Sequence, residues 1–272
     1  MSFLKIGFSA DTPERKTAET VSAENQTQAT PRKSVVQIRF LNSSMTLAYY
    51  NDQFDLHRGD MVYVDGKMKG LCGIVSEVNY NFKIKVSDYK RVIAVVDTSV
   101  NGRFFMAGSH FVTFDREALP CSKAETWFMA PKNEDDEFVS GNDDTTFRLD
   151  DLGGMNVSTA IADRGYDYYI KNKVKYLCID GVKGYAIVEG SDPYEVEFEY
   201  RNGEISRMTC SCFCSYNCKH EFATMMQLKE TLELIEKHYA DEFERTGYFA
   251  AVNKETLFAF AVDSKETGSF TL

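Results

Sequence analysis

No stretch of the 272-residue chain reaches the run of about 18 apolar residues that a membrane-spanning helix requires, so no such helix is expected. The opening MSFLKIGFSADTPERK lacks the long apolar core of a secretory signal, and cytoplasmic residence is the expectation. Positive charge is in deficit, with 31 Lys and Arg against 41 Asp and Glu, a net charge of -10. A chain of this balance repels a phosphate backbone unless its basic residues gather locally. Catalytic signatures are missing as well. There is no phosphate loop, no dinucleotide fingerprint and no His-Glu-x-x-His. His57 and His110 stand far apart, with no Ser or Cys motif around either. A redox Cys-x-x-Cys is absent, and no internal repeat is visible. An enzyme and a small-molecule substrate are therefore not expected.

What the chain does have is enough apolar material for packed cores, 43% hydrophobic and 13% aromatic residues, over a length that suggests about two domains. Residues 1–34 are rich in Thr, Ala, Glu, Gln and Ser without apolar periodicity and read as a disordered tail, although FLKIGF could dock. Over 35–131, SVVQIRFL, MTLAYY, MVYVDG, CGIVSEV, FKIKVS and RVIAVVD follow one another at short spacing between Asn, Asp and Gly turn signals, as strands of a small barrel would. RGDMVYVDGKMKGLCGIVSEV resembles the small SH3-like barrels, which implies the same fold. Residues 132–152 form an acidic linker; KNEDDEFVSGNDDTTFRLDD holds eight acidic residues against two basic ones. From 153 to 272 a second domain begins with a helix over MNVSTAIADRGYDYYIKNKV, capped by Asn156 or Ser158. Strands and a tight Asn202-Gly203 hairpin lead to Cys210. After His220 the apolar residues Phe222, Met225, Met226, Leu228, Leu232, Ile235 and Tyr239 recur at helical spacing. GYFAAVNKETLFAFAVD and GSFTL read as a further hairpin.

Four of the seven cysteines and one of the four histidines fall in the stretch Cys210–His220; Cys72, Cys121 and Cys178 are scattered. Without an export signal the default compartment is reducing, where clustered cysteines hold metal more often than they form disulfides. Zinc takes four N and S ligands in a tetrahedron, at about 2.3 Å to sulfur and about 2.0–2.1 Å to nitrogen. Cys210 and Cys212 flank Ser211 at the end of a hairpin, and Cys218 and His220 flank Lys219 at the mouth of a helix. Each pair can converge on one ion, and the longer intervening loop favours Cys210, Cys212, Cys218 and His220 as ligands. A set in which Cys214 replaces Cys210 has the same form with a shorter loop and stays open. Three thiolates and an imidazole fill the shell and leave a net charge of about -1 on the zinc, which suits a structural ion rather than a Lewis acid.

The pattern Cys-x-Cys, gap, Cys-x-His resembles the SWIM zinc finger. RGYDYYIKNKV, VEGSDPYEV, NGEISRMTCSC and CKHEFATMM are similar to the flanks of bacterial members, and the resemblance runs over roughly residues 154–240. Phe213 stands where a proline is common, and Cys214 is an extra cysteine. The resemblance implies one zinc ion, with DNA or protein contact as its role. The finger core, 190–240, carries nine acidic and five basic residues, few for a phosphate-binding face. Lys171, Lys173, Lys175 and Lys183 add charge upstream, Tyr166, Tyr168 and Tyr169 are of a type that stacks on bases, and Lys83, Lys85, Lys90 and Arg91 form a local patch. The expected fold is thus α+β: a small N-terminal β-barrel-like domain followed by a hairpin-and-helix SWIM module. The expected function is a zinc-binding interaction protein that contacts protein, DNA or both. An accessory subunit of a nucleic-acid enzyme such as a helicase or nuclease is the alternative.

Overall fold

The structure, a computed structural model, describes residues 6–7, 31–40, 45–132, 145–214 and 216–262. The expected disordered tail lies outside these residues except at 6–7 and 31–34, and so does 133–144 of the expected acidic linker. Among the described residues the strands form two antiparallel sheets. The smaller takes β2 (Ser34–Phe40), β3 (Thr46–Asn51), β4 (Met61–Val64), β5 (Cys72–Asn79) and β6 (Val92–Val95), in the order β3-β2-β5-β4-β6. Alternate residues Val36, Ile38 and Phe40 of β2 point into its core, as the period of a half-buried strand demands.

The barrel expected from these strands is not closed. Its edge strands β3 and β6 meet at a single bridge, Tyr50 to Arg91, rather than along a ladder. Strand β6 has only four residues and begins just after that bridge, which leaves too little chain to complete the seam.

The larger sheet has the order β1-β7-β8-β14-β10-β11-β12-β13-β9. Its strands are β1 (Ile6–Gly7), β7 (Arg103–Ala107), β8 (His110–Thr113), β9 (Phe147–Arg148), β10 (Val174–Asp180), β11 (Lys183–Glu189), β12 (Pro193–Arg201), β13 (Glu204–Cys210) and β14 (Tyr248–Asn253). The piece expected to dock, FLKIGF, supplies β1 at one edge, paired to β7. The sheet draws strands from both sides of the acidic stretch, since β8 pairs with β14 and β14 with β10. Of the expected C-terminal hairpin, GSFTL lies outside the described residues, and the segment before it pairs with β8 and β10. It lends one strand, buried at all six positions, to the middle of the sheet. Asn253 then accepts from the backbone N–H groups of Glu255 and Thr256 and starts a short helix over Lys254–Leu257.

Both faces of this sheet are covered, so its central strands bury apolar residues on both sides. On one face Leu177, Ile179, Phe249 and Ala251 pack against α2 (Thr159–Ile170) and α3 (Lys219–His238). On the other, Tyr176, Cys178, Tyr248, Ala250 and Val252 pack with α1 (Cys121–Phe128) through Ala124 and Trp127, and with Met61 and Tyr63 of the small sheet. Trp127 stacks on Phe260 at 4.9 Å and donates to the Asp97 carbonyl. Ser158 caps α2 by accepting from the Ile161 N–H. Gly165 lets α2 approach α3: a Cβ there would lie 2.7 Å from the Cβ of Phe222. Among the described residues no helix is long and apolar enough to cross a membrane.

Candidate metal centre

The centre is built where β13 runs into α3. Asn202 and Gly203 turn the hairpin with φ of 51° and 84°, the left-handed pair that matches strand twist. Strand β13 would then carry Cys210 to the wrong face. Ile205 points into the α3-side core, and strict alternation puts residues 206, 208 and 210 opposite it. A bulge corrects the phase. Between Glu197 and Glu199 the register shifts, Arg207 adopts φ of 50°, and Met208 and Cys210 join Ile205 on the α3 side. Past Cys210 the chain stays pinned to β12, because Ser211 N–H donates to the Glu195 carbonyl and Ser211 Oγ accepts from the Glu195 N–H, each at 2.9 Å. That pin holds the tight turn between Cys210 and Cys212.

Cys218 is the N-cap of α3. Its N–H donates to the Glu221 carboxylate at 2.5 Å while its sulfur faces the N–H of Glu221, a capping box with cysteine in place of the usual hydroxyl residue. His220 follows in the first turn. Asn217 donates to the Met155 carbonyl at 2.6 Å and ties the approaching loop to the segment before α2.

These elements bring Cys210, Cys212, Cys218 and His220 together. One ligand atom from each lies within 4.8 Å of all the others, close enough to hold a metal ion. His220 Nδ1 is 3.7 Å from Cys210 Sγ and 3.6 Å from Cys218 Sγ. Cys218 and His220 are buried, while Cys210 and Cys212 are half-buried. Cys214 is exposed on the loop and stands outside the group.

Burial, with the charge of Lys219 adding to it, pushes the His220 pKa down to about 4, so the imidazole is neutral and able to donate a lone pair. Burial pushes the Cys212 thiol up to about 12. The hydrogen bond with Cys210, then burial, raises Cys218 far above the ordinary thiol range. Thiols crowded in this way hold their protons until a cation displaces them, so metal uptake would release protons.

The imidazole ring is set by aromatics. Tyr194 of β12 stacks on it at 4.1 Å and 19°, and Tyr168 of α2 meets it edge-on at 5.4 Å. Tyr194, Glu221, Ser211 and Asn217 escape a reading of the sequence for ligands alone. Glu221 had a local signal, since an acid three residues after a cap marks a capping box; the contact of Tyr194 with His220 has none.

Known proteins add little. A stretch of 71 residues is 41% identical to an uncharacterized protein of Methanocaldococcus jannaschii. The match covers 25% of this chain and 29% of that protein. No family model and no solved structure matches the chain.

The other expected features are spread out. His57 is exposed. His110 is wholly buried, its Nε2–H donating to the Val174 carbonyl at 2.8 Å and its Nδ1 accepting from Ser109 Oγ at 3.0 Å. The lysines upstream of the Cys/His cluster are largely ion-paired, Lys171 with Asp167 and both Lys173 and Lys175 with Glu189. In the N-terminal patch Arg91 pairs with Asp52 and Lys85 with Asp88. A cleft of about 310 Å³ lies elsewhere, lined by Arg103, Arg116 and Arg245 together with Phe105, Phe114, Asp115 and Thr246. Tyr239, at the C-terminus of α3, contacts both Phe105 and Phe114. Since a helix of 20 residues spans about 30 Å, this cleft and the metal centre sit at opposite ends of α3.

Proposed function

We propose that the chain is a non-enzymatic, zinc-binding interaction protein with a structural SWIM-type finger. The observation that carries this reading is the spacing of the donors. Ligands at about 2.3 Å (sulfur) and 2.0–2.1 Å (nitrogen) from a tetrahedral zinc lie about 3.6 Å apart. The distances from His220 Nδ1 to the sulfurs of Cys218 and Cys210 are 3.6 and 3.7 Å. Three sulfurs and one nitrogen suit zinc better than oxygen-seeking calcium or magnesium. Four protein ligands close the shell, and the nearby carboxylate of Glu221 is engaged by the Cys218 N–H, so no open position or free base supports hydrolysis. The ion locks a hairpin to a helix and holds the loop between them.

That loop is the proposed contact surface. Phe213 and Tyr216 project from it at 107% and 85% exposure, large apolar groups of the kind that anchor protein interfaces. A second reading, nucleic-acid contact, is favoured by the arginine cleft at the far end of α3, because guanidinium groups match phosphate geometry. The pairing of the lysines counts against a broader basic face.

Elemental analysis of the purified chain tests the first part: one zinc per chain is expected, and none in His220→Ala. A DNA titration at two salt concentrations tests the second. Steep salt dependence that weakens in Arg103→Ala with Arg245→Ala supports nucleic-acid contact. Absence of binding leaves a protein partner as the reading.

A further inference from the structure

In a chain of net charge -10, three arginines line the cleft that lies at the far end of α3 from the metal centre. Each comes from a different segment. Arg103 opens β7, Arg116 stands in the turn that follows β8, and Arg245 lies in the last turn of α4 (Ala240–Thr246). Gly102 lets the first two approach. Its φ is 147°, and a Cβ there would lie 2.6 Å from the Cβ of Ala118, in the turn that the Ala118 N–H closes on the Asp115 carbonyl. Arg116 ties that turn to the sheet and to α4. Its Nε and Nη2 donate to Asp180 Oδ1 of β10 at 3.1 and 2.8 Å, and Nη2 also donates to the Thr246 carbonyl, next to Arg245, at 3.0 Å. The apolar wall of the cleft is braced from behind. Phe105 and Phe114 lie 5.8 Å apart, and Tyr239, which touches both, donates to the Met106 carbonyl at 3.0 Å.

These groups are held in place without being used up. Asp180 pairs with Arg116 and leaves its Nη1 over. Arg103 and Arg245 are exposed and have no ion pair among the described residues; the Arg103 guanidinium lies 5.9 Å from the centre of the Phe105 ring. Negative charge in the lining comes from Asp115 alone. Its Oδ1 accepts from the Glu117 N–H at 3.1 Å, and its Oδ2 accepts no hydrogen bond among the described residues. The lining thus offers donors from three segments, one free carboxylate oxygen and an apolar wall. A planar carboxylate is matched by a single fork, whereas donors from three segments suit the tetrahedral oxygens of phosphate. The free oxygen of Asp115 repels a bare phosphate but accepts from a hydroxyl. The volume of about 310 Å³ is at the low end of ligand clefts, about 300–1,000 Å³, the scale of a small molecule rather than of a duplex.

We propose that this cleft binds a phosphomonoester of a small polyhydroxy compound, with the phosphate among the guanidiniums of Arg103, Arg116 and Arg245 and a hydroxyl of the ligand on Asp115 Oδ2. Arg116 is the fixed member: Asp180 and the Thr246 carbonyl already orient it, so it loses little freedom on binding. Arg103 and Arg245 supply the unpaired charge, and Phe105 and Phe114 take the carbon side of the ligand. The assignment does not rest on the zinc reading. It also gives the guanidiniums a different occupant from a nucleic-acid backbone. A run of diesters needs a basic track that continues past the cleft, and the pairing of Lys171, Lys173 and Lys175 with acids removes the lysines that could extend one.

The test is isothermal titration calorimetry of the full chain as purified, at low salt, with ribose 5-phosphate as the probe. Inorganic phosphate, ribose and a short DNA duplex are the comparators. Ribose 5-phosphate is expected to bind about tenfold tighter than inorganic phosphate, and ribose not to bind. Arg103→Ala and Arg245→Ala should each weaken ribose 5-phosphate about tenfold or more, as the loss of one charge-assisted hydrogen bond does. Asp115→Ala separates the two roles: it should tighten inorganic phosphate and erase the preference for the ester. These three side chains are exposed, so the variants keep the core, and thermal melts check that they do. Arg116 is left unaltered because it joins three segments. Equal affinity for the ester and for inorganic phosphate in the unaltered chain would overturn the proposal, as would unchanged affinity in both arginine variants. Tight binding of the DNA duplex with none of ribose 5-phosphate would overturn it too, and would return the cleft to nucleic acid. Zinc content is read separately, so failure here leaves the reading of the metal centre intact.

Discussion

Cys210, Cys212 and Cys218 meet because they are near neighbours in the chain; Leu119 and Tyr176, 57 positions apart, meet because the segment that leads into α1 lies over β10, where the Tyr176 hydroxyl donates to the Leu119 carbonyl. The two gatherings differ in what holds them. Around the first, two sulfurs are half-buried and the loop beyond them turns Phe213 and Tyr216 outward. Little apolar cover orders that loop, and on the proposed reading a bound ion does so. Around the second lies a core built by Tyr176, Tyr248, Ala250 and Trp127, which needs no ion. A local cluster of soft donors needs a ligand to become a structure, whereas a distant pair inherits its geometry from the fold.

The largest effect that can break this contrast is loss of the ion. Cys218→Ser or His220→Ala should release the metal, disorder the loop and the start of α3, and cost several kcal/mol, given that zinc is worth roughly 10–16 kcal/mol to small finger peptides. Cys214→Ser should keep the metal. Metal content and thermal melts followed by circular dichroism measure both. Alkylation after chelation sharpens the point: Cys210, Cys212 and Cys218 should become reactive while Cys178 stays protected. Labelling of Cys178 at the same rate would mean that the two places are one cooperative unit.

Inserting one alanine between Met208 and Thr209 comes next. The added residue turns Cys210 to the face opposite Ile205 and Met208, so metal binding should be lost even though every ligand is present. Retention of one metal per chain would show that Cys210 reaches the ion from either face.

The response to acid is smaller and belongs to the sheet. Burial holds the His110 pKa at about 4, against about 6.5 for an unfolded histidine. Between these values the unfolded chain binds a proton that the folded chain does not, so stability falls as pH drops from about 6.5 to 4, by up to about 1.4 kcal/mol per pH unit. His110→Gln should flatten that part of the stability curve in urea melts. Acid also protonates the metal ligands, and the variant separates the two causes; an unchanged slope would assign the loss to the centre alone.

The smallest effect is Arg207→Gly. A left-handed backbone costs a non-glycine residue about 1–2 kcal/mol, while the exposed pair of Arg207 with Glu199 is worth about 0–1 kcal/mol. A gain of about 1 kcal/mol with full metal occupancy is expected in chemical denaturation. A net loss would mean that the ion pair, rather than the backbone, governs the bulge.

Much of the centre was legible in the chain because its determinants are local. The Asn202-Gly203 turn, the helix after Cys218 and the spacing of Cys210, Cys212, Cys218 and His220 depend on residues only a few positions apart. The same holds for the cap at Ser158 and the alternation of β2. The bulge at Arg207 was not legible: arginine carries no preference for a left-handed backbone, and the strain is tolerated only because Ile205, Met208 and Cys210 must share a face. The stacking of Tyr194 on His220 depends on the register between β12 and β13, and the clamp of Leu119 on a sheet assembled from distant strands.

By itself, then, the sequence determined which residues could bind a metal, where the turn and caps fall, and that the chain has apolar material for packed cores. Tertiary structure alone decided that strands on both sides of the acidic stretch share one sheet, that the barrel stays open, that β14 lies at the centre of the sheet, and that Tyr176 reaches Leu119. The division follows from range. Dihedral preferences and short spacings act between neighbours and are written in order along the chain. Strand pairing and side-chain burial are contests among distant segments, settled by which assembly buries the most apolar surface with every backbone group paired.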